Sequence, residues 1–417
     1  MFPTFSHPEY RPTYHEFAER PLSDSCWGIQ TGPDGRIYAA ACVEHTGGQT
    51  VTVVRYDPGA DHLEYLFDMD EVTGDRRDSG RATQCKIHYS FVPDPEHDLL
   101  YCATHLSGPP KGETSYNPWA AWHDPVRSFR GAYLAAYDTR RQRIADVHLM
   151  IPKEGCRCLA IDLARRRLYA LTYPRDHFVV YDLARHELSD KGRLGSVNSQ
   201  CLVADRKGRI YTFIDTGRMV RYDPDADRLD DLPHTFPHAP CQSPWHGVVY
   251  DAVEDPADHA IYLVPWKSRP HLARFFPDDG PDGRVEDLGA ITQPTDPHHP
   301  VSMNVNHVGG LVFGRDGCLY YVKAAWDPAL VWPQRVSTPD DSRAVLCRMD
   351  PLTCRHEEIC TLGAGAGLHH YVSRAARDPA GHLYLAKIMA QPAGFYRVEV
   401  GAVKPVRPND AWLRYWG

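Results

Sequence analysis

The chain predicts an all-β fold, a seven-bladed β-propeller that occupies residues 1–417 as a single domain, and three observations predict it. A turn followed by an apolar residue and a tyrosine recurs seven times: PDGRIYAA to Tyr38, EHDLLYCA to Tyr101, RRRLYAL to Tyr169, RKGRIYTF to Tyr211, ADHAIYLV to Tyr262, RDGCLYYV to Tyr320 and PAGHLYLA to Tyr384. A second phrase follows each copy, centred on Tyr56, Tyr137, Tyr181, Tyr222, Phe275, Met349 and Val398. The composition is rich in turn formers and strand aromatics, with 35 Pro, 31 Gly and 23 Tyr, which suits many short strands better than helices.

Each phrase is a short run bounded by Gly, Asp or Pro, the pattern of a strand between turns. The first turn joins a strand A to a strand B carrying the repeated tyrosine. The second phrase is strand C, and polar runs such as DHLEYLFD and DRLDDLP supply strand D. Four antiparallel strands repeated seven times describe propeller blades, near residues 22–75, 80–150, 153–193, 196–235, 242–290, 302–362 and 367–402. Two B–C connections are long, residues 106–130 and 324–343, and both are rich in aromatics. Long loops on a rigid scaffold commonly build binding sites, so these two are expected to wall a pocket.

The formal net charge is −8, which does not suit a nucleic-acid groove. No run of 18 apolar residues is present, so no membrane-spanning helix is expected. The opening segment MFPTFSHPEYRPTYHEF lacks the basic and apolar regions of a secretory signal, and a cytoplasmic location is expected on that basis. The 12 cysteines fall mostly within apolar strand-like runs and form no CxxC pair. They are expected to be reduced and to pack as small hydrophobes.

Aligning the repeats on their tyrosines brings certain residues to corresponding slots at one end of the blades. At the end of strand B stand His105 and Tyr173, each four residues past its tyrosine. At the start of strand A stand His88 in QCKIHYS, Arg157 in GCRCLAI and Gln200; further round come His246, His307, His369 and His370. Histidine and tyrosine exchange protons, and arginine clamps carboxylates. Such a set suits β-elimination from a uronic acid, in which a neutralised carboxylate makes the C5 proton removable and the O4 substituent departs.

The seven repeats, the CKIHYS…YCATH pair of the second blade and the Arg157/Tyr173 pair of the third resemble the β-propeller polysaccharide lyases, the ulvan lyases and rhamnosyl-glucuronate lyase among them. The resemblance implies a lyase that acts on a glucuronate-type residue and leaves a 4,5-unsaturated uronate. It implies His88 as base and acid with Tyr173 as its partner, and His105 with Arg157 as the pair that neutralises the carboxylate. Arg175 is an alternative clamp, and Arg175, Gln200, His246 and Trp266 are candidates for binding the sugar. The partner expected is a uronate-containing oligosaccharide or polysaccharide, with neither nucleic acid nor membrane involved. No cofactor is required for this chemistry. A structural Ca, Zn or Mn ion is a possibility at His307, His369 and His370, imidazole being a common ligand. A non-catalytic binding scaffold and a metal-dependent, lactonase-type hydrolase are the alternative readings.

Overall fold

The computed structural model describes residues 7–106, 108–196, 199–237, 248–265, 271–291, 307–326, 342–363 and 371–407. The chain divides into two compact units, one made of Glu16–Gly195 and Gln391–Gly394, the other of Met1–His15, Ser196–Ala390 and Phe395–Gly417.

The first unit opens with a four-stranded antiparallel sheet of Ile29–Thr31, Ile37–Ala41, Thr52–Asp57 and His62–Asp68. The next two repeats are Lys86–Asp94, Leu99–His105, Gly131–Asp138 and Arg143–Pro152, then Gly155–Asp162, Arg167–Tyr173, His177–Asp182 and Glu187–Arg193. Their innermost strands touch through one parallel pairing, Cys158 with Tyr89, which merges them into an eight-stranded sheet. The second unit carries four more four-stranded sheets. In the last of these, Tyr371–Arg377, Leu383–Ile388 and Gly394–Val400 are completed by Tyr10–Glu16 from the other end of the sequence. The seventh repeat therefore takes its outer strand from the N-terminal segment, to which the repeat pattern assigns no strand.

Strand position explains strand composition. Strand B is buried on both faces, as in the wholly buried Ile37–Ala41, because sheets pack against it from either side. Strand D is an edge and alternates toward solvent, as in His62–Asp68. The apolar clusters lie between successive sheets. One joins Tyr38, Val53, Ile87, Leu100 and Tyr133, and the next joins Tyr101, Leu134, Leu159 and Leu168.

All seven repeated tyrosines are buried, and a buried phenol needs a hydrogen-bond partner. In four of the seven the turn before strand B supplies it, while Tyr101 accepts from Arg166 and Tyr262 from Arg274. Tyr38 donates to Asp34, Tyr211 to Asp205, Tyr320 to Asp316 and Tyr384 to Asp378, at 2.8–3.0 Å. The same aspartates accept backbone N–H groups in their turns, Asp34 from Arg36 and Asp316 from Cys318. The Asp-turn-Tyr phrase is thus a self-satisfied corner that fixes both the turn and the strand after it. The eleven described cysteines are thiols and, apart from Cys354, buried, as expected from their apolar settings.

Candidate active site in the second and third repeats

The first unit brings His88, His105, Arg157 and Tyr173 together. The strands that carry them explain how. Strand A of the second repeat is bulged between Ile87 and Phe91, and strand A of the third between Cys156 and Cys158. A bulge re-aims the side chains it carries, and here it carries His88 in one strand and Arg157 in the other. The parallel contact between the two strands sets these residues side by side.

His88 is 2% exposed. Its Nδ1 lies 2.8 Å from the carbonyl oxygen of Arg157. A carbonyl only accepts, so Nδ1 carries the proton and Nε2 keeps its lone pair. Trp27 stacks on the imidazole with ring centroids 4.5 Å apart. His105 meets His88 edge-on at 5.3 Å and Tyr173 edge-on at 5.2 Å. The Arg157 guanidinium sits 5.1 Å from the centre of the Tyr173 ring. Burial, with the positive charge of Lys86 next in weight, holds both histidines well below the usual imidazole range. Both rings are therefore neutral at pH 7.

His105 has its Nδ1 buried with no hydrogen-bond partner among the described residues. An orphaned lone pair costs less than an orphaned N–H, so the proton belongs on Nε2. Gly155 makes this arrangement possible. A Cβ at that position would lie 2.7 Å from His105 Nδ1 and 2.3 Å from the Leu106 nitrogen. A neutral His105 offers a hydrogen bond here, not a charge.

The structure adds residues that the sequence does not announce. Lys86 pairs in register with His105. It donates to Glu44 at 2.8 Å and lies 4.1 Å from the Trp27 ring centre. Trp27 Nε1 also donates to Glu44. Burial works to raise the Glu44 carboxyl, but Lys86 and the Trp27 hydrogen bond outweigh it and hold the group below its ordinary value. Arg157 Nη2 stands 3.3 Å from Asp176. Each buried cation thus has its own carboxylate. Period-2 alternation from His88 points to Lys86, two residues earlier on the same strand face. Trp27 and Glu44 come from the first repeat, and no local pattern signals them.

Arg175 turns away from this group. Its Nε and Nη2 form a two-point fork on Glu154 at 3.0 and 3.1 Å, and its guanidinium lies 5.2 Å from the Trp122 ring centre. Trp122 belongs to the long 106–130 segment, whose short helix Pro118–Ala121 is capped by Asn117. That segment packs on Tyr173 through a cluster of Ala82, Leu106, Phe129 and Tyr116. It is also tied to the first repeat, where the Gly48 N–H donates to the Pro109 carbonyl.

Gln200 and His307 belong to the second unit. Gln200 is buried, its N–H donating to the Val249 carbonyl at 2.8 Å. His307 donates from Nε2 to the Val372 carbonyl at 2.9 Å and packs edge-on against Tyr250. Burial lowers its pKa to about 4. The Nε2 proton commits that nitrogen, so it is not offered to a metal. His246, Trp266, His369, His370 and most of the 324–343 connection lie outside the described residues.

Solved structures similar to this chain include the extracellular domain of the putative one component system BT4673 from B. thetaiotaomicron. It matches at 13% identity and a TM-score of 0.56, over 94% of this chain and 40% of that one. A streptogramin B lyase matches at 9% identity and a TM-score of 0.56, over 93% and 97% of the two chains. The fold is a β-propeller. The propeller domain of Cps50 (Swd1) from Myceliophteria thermophila agrees, at 10% identity and a TM-score of 0.54 over 90% and 96%. The chain spans 40% of the length of the first of these structures, and at such identities the likeness establishes the fold alone. No family model matches the chain, and no curated protein matches it.

Proposed function

We propose that the protein is a carbon–oxygen lyase that cleaves the bond to O4 of a hexuronate by β-elimination. The observation that carries this reading is the His88 tautomer. Its Nδ1–H is fixed on the Arg157 carbonyl, its Nε2 is a lone pair in a dry setting, and a tyrosine hydroxyl and two cations belong to the same cluster.

In this scheme His88 Nε2 takes the C5 proton. The electron pair of the C5–H bond forms the C4–C5 double bond as the C4–O4 bond breaks. Tyr173 gives its hydroxyl proton to the departing O4 and regains one from solvent, while His88 releases the proton it took. The substrate carboxylate must be held where negative charge develops. Arg157 is the first group for that task, with the Nε2–H of neutral His105 as a second donor and Lys86 as a further positive charge. One of the similar propeller structures is also named as a lyase.

The test is a panel of glucuronate- and galacturonate-containing oligosaccharides, followed by the ultraviolet absorbance of the 4,5-unsaturated product. Absorbance that rises with the wild type and stays flat with His88→Asn supports the lyase. No rise on any panel member removes it. A second reading, a binding scaffold, is favoured by one observation: each buried cation is already matched by Glu44 or Asp176, as in a purely structural network. It predicts saccharide binding, or none, without product.

A further inference from the structure

The outer rim of the first unit carries a three-residue cluster that the elimination chemistry does not use. Asp146 and His148 lie on strand D of the second repeat, and His186 sits in the C–D turn of the third. One ligand atom from each lies within 4.8 Å of the other two. His148 Nε2 is 2.6 Å from Asp146 Oδ2, and His186 Nε2 is 3.9 Å from the same oxygen. The two imidazole rings face each other with centroids 3.8 Å apart. All three side chains are partly exposed, so an ion has a path in. We propose that Asp146, His148 and His186 bind a divalent transition-metal ion, zinc above all.

Donor chemistry and spacing support this. Two imidazoles and a carboxylate are a recurrent zinc set, with a fourth position left to water. Tetrahedral zinc bonds of about 2.0–2.2 Å set the donor atoms roughly 3.3 Å apart, so His148 and Asp146 must open from 2.6 Å and His186 close in from 3.9 Å, a small rotamer change for solvent-facing side chains. The metal would replace the proton that now bridges His148 and Asp146.

The internal repeat supplies an independent argument. In the equivalent turns of the first and fourth repeats, the strand C tyrosine hydroxyl bonds a left-handed aspartate five residues on, Tyr56 with Asp61 and Tyr222 with Asp227. In the third repeat the partner is His186, also left-handed (φ 58°), with its Nδ1 3.2 Å from the Tyr181 hydroxyl. This left-handed position is Asp61 and Asp227 in those two repeats, Gln142 in the second and Cys354 in the sixth; in the third it is an imidazole beside a second imidazole. Tyr181 then serves as the outer partner that orients a metal-bound histidine: with zinc on Nε2, His186 holds its proton on Nδ1 and donates it to the tyrosine oxygen. Such an ion would tie the edge strand of one blade to the hairpin of the next.

The test uses full-length, tag-free protein stripped with EDTA and titrated with zinc chloride. Bound zinc is counted by elemental analysis after gel filtration, and melting temperature is read in parallel. Wild type is expected to retain one equivalent more than His148→Ala or Asp146→Asn, and zinc to raise the melting temperature of the wild type more than that of either variant. Cobalt in place of zinc should give visible absorption that both variants lose. Equal metal content in wild type and variants overturns the proposal. Circular dichroism of the metal-free variants confirms that loss of metal is not loss of fold.

Discussion

His88 shows how one hydrogen bond decides what a side chain can do. With Nδ1–H spent on the Arg157 carbonyl, only Nε2 remains to act as a base. Asparagine at this position can keep the donor to the carbonyl while removing the base. His88→Asn is therefore expected to abolish elimination with a modest loss of stability. His88→Ala, which empties a fully buried site beneath Trp27, should cost roughly 2–4 kcal/mol. Urea denaturation of the two variants separates the roles, and equal destabilisation would show that the hydrogen bond contributes little. Because burial holds the imidazole well below its usual range, the acidic limb of kcat/KM should fall well under pH 6.5. A limb at or above that value would place another group in the role. Gly155 makes a related point. Gly155→Ala sets a methyl against His105 and the Leu106 backbone, so we expect a loss of about 1–3 kcal/mol together with a large drop in activity. An unchanged melting curve would refute the close packing. The sequence exposed His88, His105, Arg157 and Tyr173 because they occupy matching slots of a repeat. It hid Asp176, Trp27 and Glu44 because what makes them neighbours is tertiary contact, which leaves no periodic trace.

At the scale of the strand and its turn, the repeated phrase was legible for a physical reason. An aspartate that accepts both a turn N–H and a buried phenol must stand in the turn just before the tyrosine, four residues ahead of it at Asp34 and Asp316 and six at Asp205 and Asp378, and that turn-then-tyrosine order shows directly in the order of residues. In the sixth repeat the corner is deepest: Tyr320 and Asp316 are both buried, and Tyr10 shares the hydroxyl at 2.8 Å. Asp316→Ala leaves a buried phenol and turn N–H groups without their acceptor, and should cost about 2–4 kcal/mol. Tyr320→Phe removes one donor and should cost about 1 kcal/mol. Chemical denaturation of both variants checks the order, and a reversed order would mean that the phenol stabilises the corner more than the turn does. The strand Tyr10–Glu16 escaped notice for the converse reason. Its YRPTYHE carries neither the turn nor the tyrosine spacing of the repeat, and only its partner strand gives it meaning.

For the whole molecule, the buried neutral histidines couple stability to acid. His88 and His105 in one unit and His307 in the other have folded-state pKa values below the ordinary imidazole value. An unfolded chain binds these protons near pH 6.5, whereas the native state resists them. Their contribution is complete above about pH 6.5 and is lost as pH falls through that value toward the folded ones, which for His307 is about 4. Each histidine adds up to about 1.4 kcal/mol per pH unit within its window. Urea midpoints should fall steeply between neutral pH and about pH 5, and a flat profile would contradict neutral burial.

The N-terminal strand also sets an order of events. Tyr10–Glu16 pairs with Gly394–Val400, and its Tyr10 enters the cluster formed by the last two sheets. On the ribosome, Tyr10–Glu16 is made before the other described strands and must wait for Gly394–Val400. Until then the last described sheet has no outer strand and the early segment has no partner. Joining them closes a loop from Tyr10–Glu16 to Gly394–Val400, a far less local contact than the hairpins within each blade and a slow kind to form. Nascent chains released early should therefore hold their middle blades while leaving an open strand edge, the surface that chaperones and aggregation compete for.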